Sequence, residues 1–293
     1  TTHPDLSNLP FSFLIESCDT TFLIPGVNLK SVGTIRDAQK WPRRDARTDP
    51  HRLDQINYNL LSPYTIQKML NGRTILTELR RVAGVTSEIY SYQSAKIKAS
   101  SLRKGIHYYE LAIHKFLGNS LIKRSIDVVR QALQPRTSIG HGDWVDLSGL
   151  IAPKAEVLRI IEDIEMRHLE TISELQQRLA DLHLHYYEYE WTWAYDKIQE
   201  FYGIDLAEVT AEQIAELVER WRSSVVELDR ELYADAKKEF SLSAMTGFGA
   251  DGDERVQAQD FEEVRGDFDS NTYVKSILQH IEEKSALGEE LLG

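Results

Sequence analysis

The sequence predicts a mainly α-helical protein: a helical bundle containing a long helical hairpin, with short β segments near the N-terminus and around residues 139–157. Three observations carry that expectation. From residue 154 to residue 202 there is neither Gly nor Pro. Apolar residues recur there at alternating spacings of three and four, the stripe of an amphipathic helix. Two further stretches, 210–232 and 271–292, repeat the spacing.

In chain order, Phe11 to Ile15 and Thr21 to Ile24 are aromatic and β-branched runs punctuated by Pro10, Pro25 and Gly26, and they read as short extended pieces. Residues 31–54 are polar and basic, a short helix followed by an irregular stretch broken at Pro42 and Pro50. Ser62-Pro63 is a helix start with Pro at its first position, and the apolar spacing carries that helix to about Val82, before Gly84. A second helix is expected from Ser101 to Leu133, with Gly105 and Gly118 inside it. In the segment 138–157, Ile139, Val145, Ile151 and Val157 recur every six residues. That period reads either as one rung of a parallel β-helix or as a loop with a short strand. Pro153 to Tyr202 is expected as one helix with a seam through Leu158, Ile161, Ile172, Leu175, Leu179, Leu182, Tyr186, Tyr189 and Trp193. After Gly203, Thr210 and Gln213 form a capping box. The next helix, through Ile214, Val218, Trp221, Val225, Leu228 and Leu232, should fold back on the first as an antiparallel hairpin. Residues 243–269, rich in acids and Gly, read as a loop, and Asn271 to Leu292 as a third helix.

Charge divides the chain. Of 34 basic and 46 acidic residues, positions 1–147 hold 20 and 13, and the remainder 14 and 33. The expected organisation is therefore a basic region, 1–150, and an acidic helical region, 151–293. The acidic half argues against nucleic-acid binding. No apolar run approaches the ~18 residues of a membrane span. One cysteine, Cys18, and an N-terminus without export features fit a cytoplasmic protein. The first residue is Thr, which reads as a processed chain or a piece of a longer one.

The candidate site residues are basic. Arg36, Lys40, Arg43, Arg44, Arg47 and Arg52, with Trp41 and His51 among them, form one run; Lys96, Lys98, Arg103 and Lys104 form a second. Guanidinium forks suit phosphate or carboxylate, and an aromatic neighbour can stack on a base or sugar. The interspersed Asp37, Asp45, Asp49 and Asp54 suit internal pairing equally. Sharper motifs are missing: there is no GxxxxGK[ST], no HExxH and no nucleophile elbow. Residues 247–252 match GxGxxG only in letters, without a preceding strand. His183 and His185 diverge on a helix, so no metal site is read there. The aromatic cluster from Tyr186 to Tyr202 is expected to pack as core, and Glu188 and Glu190 read equally as paired functional carboxylates or as solvated helix faces.

Four blocks, at residues 23–45, 51–69, 87–106 and 143–154 (LIPGVNLKSVGTIRDAQKWPRRD, HRLDQINYNLLSPYTIQKM, SEIYSYQSAKIKASSLRKGI, DWVDLSGLIAPK), together resemble the C-terminal half of the uncharacterised Bacteroidetes DUF4954 family with its companion C-terminal domain. Some members are named UDP-N-acetylglucosamine pyrophosphorylase-related protein, and complete members carry hexapeptide-repeat sequence upstream. The resemblance implies an assembly or interaction module, homo-oligomeric and docked on an upstream β-helix of the parent chain. The alternative is part of a nucleotidyl- or acyltransferase-like enzyme that binds a sugar phosphate or nucleotide sugar through the basic half. The resemblance supplies neither catalytic residue nor cofactor.

Overall fold

In the computed structural model, residues 3–44, 47–48, 54–124, 133–244 and 253–292 are described, apart from the side chains of Trp41, Arg43, Arg44 and Ser243. The chain is mainly helical with short strands in two small sheets. No helix among the described residues is long and apolar enough to cross a membrane.

Three two-residue hairpins supply the strands. β1 (Phe13–Ser17) pairs antiparallel with β2 (Thr20–Ile24), turning through Cys18 and Asp19, both at positive φ. That turn matches the right-handed twist of the strands it joins. β3 (Ile89–Tyr92) and β4 (Ala95–Lys98) form a second hairpin, and β4 runs parallel to β2, giving the order β1-β2-β4-β3. Sequence reading left this hairpin out, although β4 alternates buried Ala95 and Ile97 with exposed Lys96 and Lys98, the period of a half-buried strand. β5 (Trp144–Leu147) and β6 (Leu150–Pro153) are antiparallel, with Val145 opposite Ala152 and Asp146 opposite Ile151. The six-residue spacing therefore belongs to a hairpin, and not to a rung of parallel strands.

α1 (Val32–Arg44) follows a short 3-10 turn at Val27–Lys30. α2 (Pro63–Ala83) begins as expected: Ser62 and Thr65 form a capping box in front of Pro63 at the first turn. α3 (Ala99–Ile122) ends before the expected Leu133, and residues 125–132 lie outside the described residues. Its two glycines mark close approaches. A Cβ on Gly105 would lie 2.6 Å from Pro25, and one on Gly118 would lie 2.4 Å from Trp221.

The single helix expected over 153–202 is three: α4 (Lys154–Glu165), α5 (Ile172–Leu184) and α6 (Tyr186–Tyr202). The first break has a chemical cause. Arg167 takes a left-handed φ of 60°, and Thr171 opens α5 with its own capping box, its Oγ1 accepting from the Glu174 amide while the Glu174 carboxylate accepts from the Thr171 amide. The TISE signature at 171–174 announced that start. The second break falls at His185, between α5 and α6.

α7 (Ala211–Glu239) starts at the expected Thr210–Gln213 box. Its principal partners are α3 and α9 (Thr272–Leu292), rather than the helix before it. Paired positions run in opposite senses along α7 and α9: Asp229 meets His280, and Arg222 meets Gly288. The antiparallel long pair is thus α7–α9. Residues 254–265, expected as loop, form α8 (Glu254–Arg265), capped by Asp253.

One hydrophobic cluster runs from Leu9 to Leu228 across the expected boundary at 150, and Trp144, Trp191, Trp193 and Trp221 are buried in it. Three of their indole N–H groups donate within hydrogen-bond range: Trp144 to Gly140 O, Trp191 to Leu133 O and Trp221 to Asn119 Oδ1. Burying an indole at full stability requires such a partner. The unequal charge of the two halves is partly neutralised inside the molecule. Lys30 pairs with Glu231, His107 with Glu227, Lys123 with Glu190 and Arg124 with Glu188.

Candidate functional site

Several of the basic residues singled out in the sequence have partners of their own among the described residues. Arg36 lies over the Tyr273 ring at 5.6 Å. Lys40 pairs with Asp37 one turn earlier, and Arg47 holds Asp54 at 2.6 Å. Arg43 and Arg44 end α1, but their side chains, and Arg52 with His51, lie outside the described residues. Lys96 donates to Ser91 on β3, and Lys98 lies 5.4 Å over the Phe22 ring. Arg103 and Lys104 are exposed on α3. The GxGxxG-like run at 247–252 is also outside the described residues.

The structure instead brings other ionisable groups together around a cleft of about 680 Å³. α1 and the segment 58–61 form one side, α3 and α6 the floor, and α7 and α9 the other side. Among the described residues, Lys115 and Lys123 from α3, Glu190 from α6, Asp229 from α7 and His280 from α9 are the charged and imidazole side chains that line it. Asn119, Ser120 and Tyr273 add neutral polar groups.

Each position follows from helical phase. Lys115 sits beside the buried Ala112 and Phe116 on α3, so its stem must run along the core side of that helix. Its ammonium makes no hydrogen bond or ion pair among the described residues. Burial holds its pKa below the ordinary lysine value, Asp229 opposes that effect, and Lys284 adds to it. Asp229 lies among Val225, Leu228 and Leu232 on the buried stripe of α7, and its Oδ2 is 2.5 Å from His280 Nδ1. Deeper in the cleft, Glu190 is only 3% exposed. This overturns its reading as solvated surface: it shares the face of α6 that buries Tyr186, Trp193 and Ala194. Burial raises its pKa, partly opposed by Lys123, whose Nζ is 3.4 Å away; Ser120 Oγ lies at the same distance. The buried Tyr186 hydroxyl lies near Glu190, Asn57 and Asn59 without a well-formed hydrogen bond.

Two lysines, Glu190, the His280–Asp229 pair and several neutral polar groups therefore face one volume the size of a small-molecule site. Buried ionisable groups with displaced titration mark functional clefts more often than structural cores. Sequence reading missed all five, and the available signal was a charge in an apolar stripe: Lys115, Glu190 and Asp229 each interrupt one.

Residues 125–293, more than half of the chain, match the model of DUF6819, a domain of unknown function. The chain belongs to the DUF6819 family. Residues 1–80 match the model of a second domain of unknown function, DUF4954. The DUF6819 part contributes Glu190, Asp229 and His280 to the cleft; α3, which supplies Lys115 and Lys123, lies between the two matched stretches. No curated protein and no solved structure matches the chain.

Proposed function

We propose that this chain is the ligand-binding part of a longer transferase-like protein, and that its central cleft takes a small, hydroxylated, anionic molecule of the sugar-phosphate class. The carrying observation is Lys115, which lines the cleft without a hydrogen-bond or ion-pair partner among the described residues, two helical turns along α3 from the half-exposed cation Lys123. A ligand phosphate would pair with Lys123 in a charge-assisted bond, and the rest of the ligand would reach Lys115. Glu190, Asp229 and Asn119 would take ligand hydroxyls. A nucleotide sugar is the larger member of the same class. In this reading the anion is held from α3 by Lys123, while Lys40 and Arg47 of the basic run are engaged by Asp37 and Asp54.

The test is a thermal-shift panel of hexose phosphates, nucleotide sugars, inorganic phosphate and sulfate. A ligand at 100 times its dissociation constant stabilises the folded chain by ~2.7 kcal/mol. A shift that survives Arg47→Glu and is lost in Lys123→Glu supports the cleft. A shift lost in Arg47→Glu and kept in Lys123→Glu contradicts it.

A second reading, that of an assembly module, is favoured by a different observation. Leu158, Ile161, Ile164, Met166 and Ile172, around the α4–α5 junction, are all exposed; Ile172 is 74% accessible. Leu158, Ile161 and Ile172 belong to the seam expected to be covered. An exposed apolar cluster of this kind marks an interface. In this reading the tip docks on an upstream β-helix of the parent protein or on a second copy. Sedimentation at micromolar concentration tests the self-association arm, and a monomer unchanged by Ile172→Glu refutes it.

A further inference from the structure

We propose that Lys115 is a nucleophilic amine which forms an imine with the open-chain carbonyl of an aldose or ketose phosphate bound in the cleft. The inference rests on the cleft reading above and adds a covalent step to it. Three features of the site carry it. Lys115 lines the cleft and has no hydrogen bond or ion pair among the described residues, so the nitrogen lone pair is not tied up once the proton leaves. The His280–Asp229 pair lines the same cleft, with Asp229 in electrostatic reach of Lys115, so the cleft that holds the amine also holds a proton donor and acceptor. The second lysine, Lys123, with Glu190 and Ser120 beside it, sits two helical turns along α3 and can hold a phosphate away from the reacting carbon.

Burial supports the proposal, because it favours the neutral amine. The charged groups around Lys115 act in both directions. Asp229 from α7 favours the ammonium and Lys284 from α9 disfavours it, while His280 from α9 and the Lys123–Glu190 pair complete the ionisable wall.

The step balances without an oxidant. The neutral Lys115 Nζ adds its lone pair to the carbonyl carbon, and the C=O π pair moves to oxygen, which takes a proton from protonated His280. The nitrogen of the resulting carbinolamine loses a proton to the neutral imidazole. Reprotonation of the hydroxyl then expels one water, and the nitrogen lone pair closes the C=N bond, giving the iminium ion. Asp229, hydrogen-bonded to His280 Nδ1, keeps the imidazole oriented.

The experiment treats the full chain at neutral pH with fructose 6-phosphate, which opens to a free ketone, or with glucose 1-phosphate, whose anomeric carbon is locked by its phosphate. Each incubation is then reduced with borohydride and mapped by peptide mass spectrometry, with a parallel thermal-shift measurement. The expected result is a reduced adduct on Lys115 with fructose 6-phosphate only. It should be lost in Lys115→Met and Lys115→Arg, and weakened in His280→Gln. Stabilisation by the sugar phosphates without a Lys115 adduct overturns the imine and leaves the binding site standing. An adduct spread over exposed lysines such as Lys104, unchanged in Lys115→Met, overturns it too. Neither stabilisation nor adduct overturns both readings.

Discussion

Gly118→Ala tests the packing that builds the cleft floor, because α3 and α7 approach each other at that residue. An added Cβ would lie 2.4 Å from Trp221 Cβ and 2.6 Å from two ring carbons. The ring cannot swing aside cheaply: Trp221 is 1% exposed, and its Nε1 donates to Asn119 Oδ1 at 2.8 Å. Overpacking a filled core costs about 1–3 kcal/mol, and straining the indole bond adds ~1 kcal/mol. Replacing a helical Gly by Ala returns ~1 kcal/mol. The net expectation is destabilisation of about 1–3 kcal/mol. At about 2–4 °C per kcal/mol for a domain of this order of size, Tm should fall by roughly 2–12 °C in a calorimetric scan. The control is Gly33→Ala in α1, where a Cβ meets only Ser31 Oγ at 3.7 Å. The same chemical change there should raise stability, by on the order of 0.5 kcal/mol. A Gly118→Ala protein as stable as wild type would refute the close α3–α7 approach, and with it the placement of Lys115 and Asn119 opposite α7.

The buried charges give two predictions of opposite pH sense. The folded-state pKa of Glu190 is raised, so between its ordinary value of 4.5 and the raised value the folded chain holds a proton that the unfolded chain lacks. Stability from this group therefore falls as pH rises through that window, and Glu190→Gln should be the more stable protein at pH 7, with the gap closing toward pH 4.5 in thermal melts. Lys115 is the reverse case. Its folded pKa lies below the ordinary 10.5, so wild type gains stability as pH rises toward that value, and Lys115→Met should melt higher than wild type at pH 7 but not above pH 10.5. The exposed thiol of Cys18 sits in the β1–β2 turn, away from the cleft; alkylating it should leave both Tm and ligand response unchanged.

Much of the architecture was legible because helix boundaries carry local chemistry. Ser62-Pro63 and Thr210–Gln213 announced α2 and α7 through their own hydrogen bonds, and both helices start there. Thr171–Glu174 carried the same information, but the heptad stripe running across it masked the break between α4 and α5. Partner choice was less legible. α7 has apolar residues on the sides that meet α3 and α9, and periodicity along one helix does not say which neighbour covers it.

The sequence and the structure point to different candidate sites. A run such as Arg36 to Arg52 draws attention by its density, yet dense surface charge pairs with its neighbours, as Lys40 does with Asp37. The informative charges are isolated ones in apolar stripes. Asp229 lies among Val225, Leu228 and Leu232, and only the convergence of α3, α6, α7 and α9 makes such scattered residues one site. That convergence depends on tertiary packing between residues far apart in the sequence, from Glu190 and Asp229 to Lys115 and His280, which no local pattern encodes.

The central claim is that the cleft, and not the arginine run, is the binding site. Hydrogen–deuterium exchange with and without a saturating sugar phosphate from the thermal-shift panel tests it most directly. The account predicts slowed exchange in peptides from α3 around Lys115, α6 around Glu190, α7 around Asp229 and α9 around His280 together. Protection confined to residues 36–52, or an exchange pattern that no member of the panel alters, would contradict it.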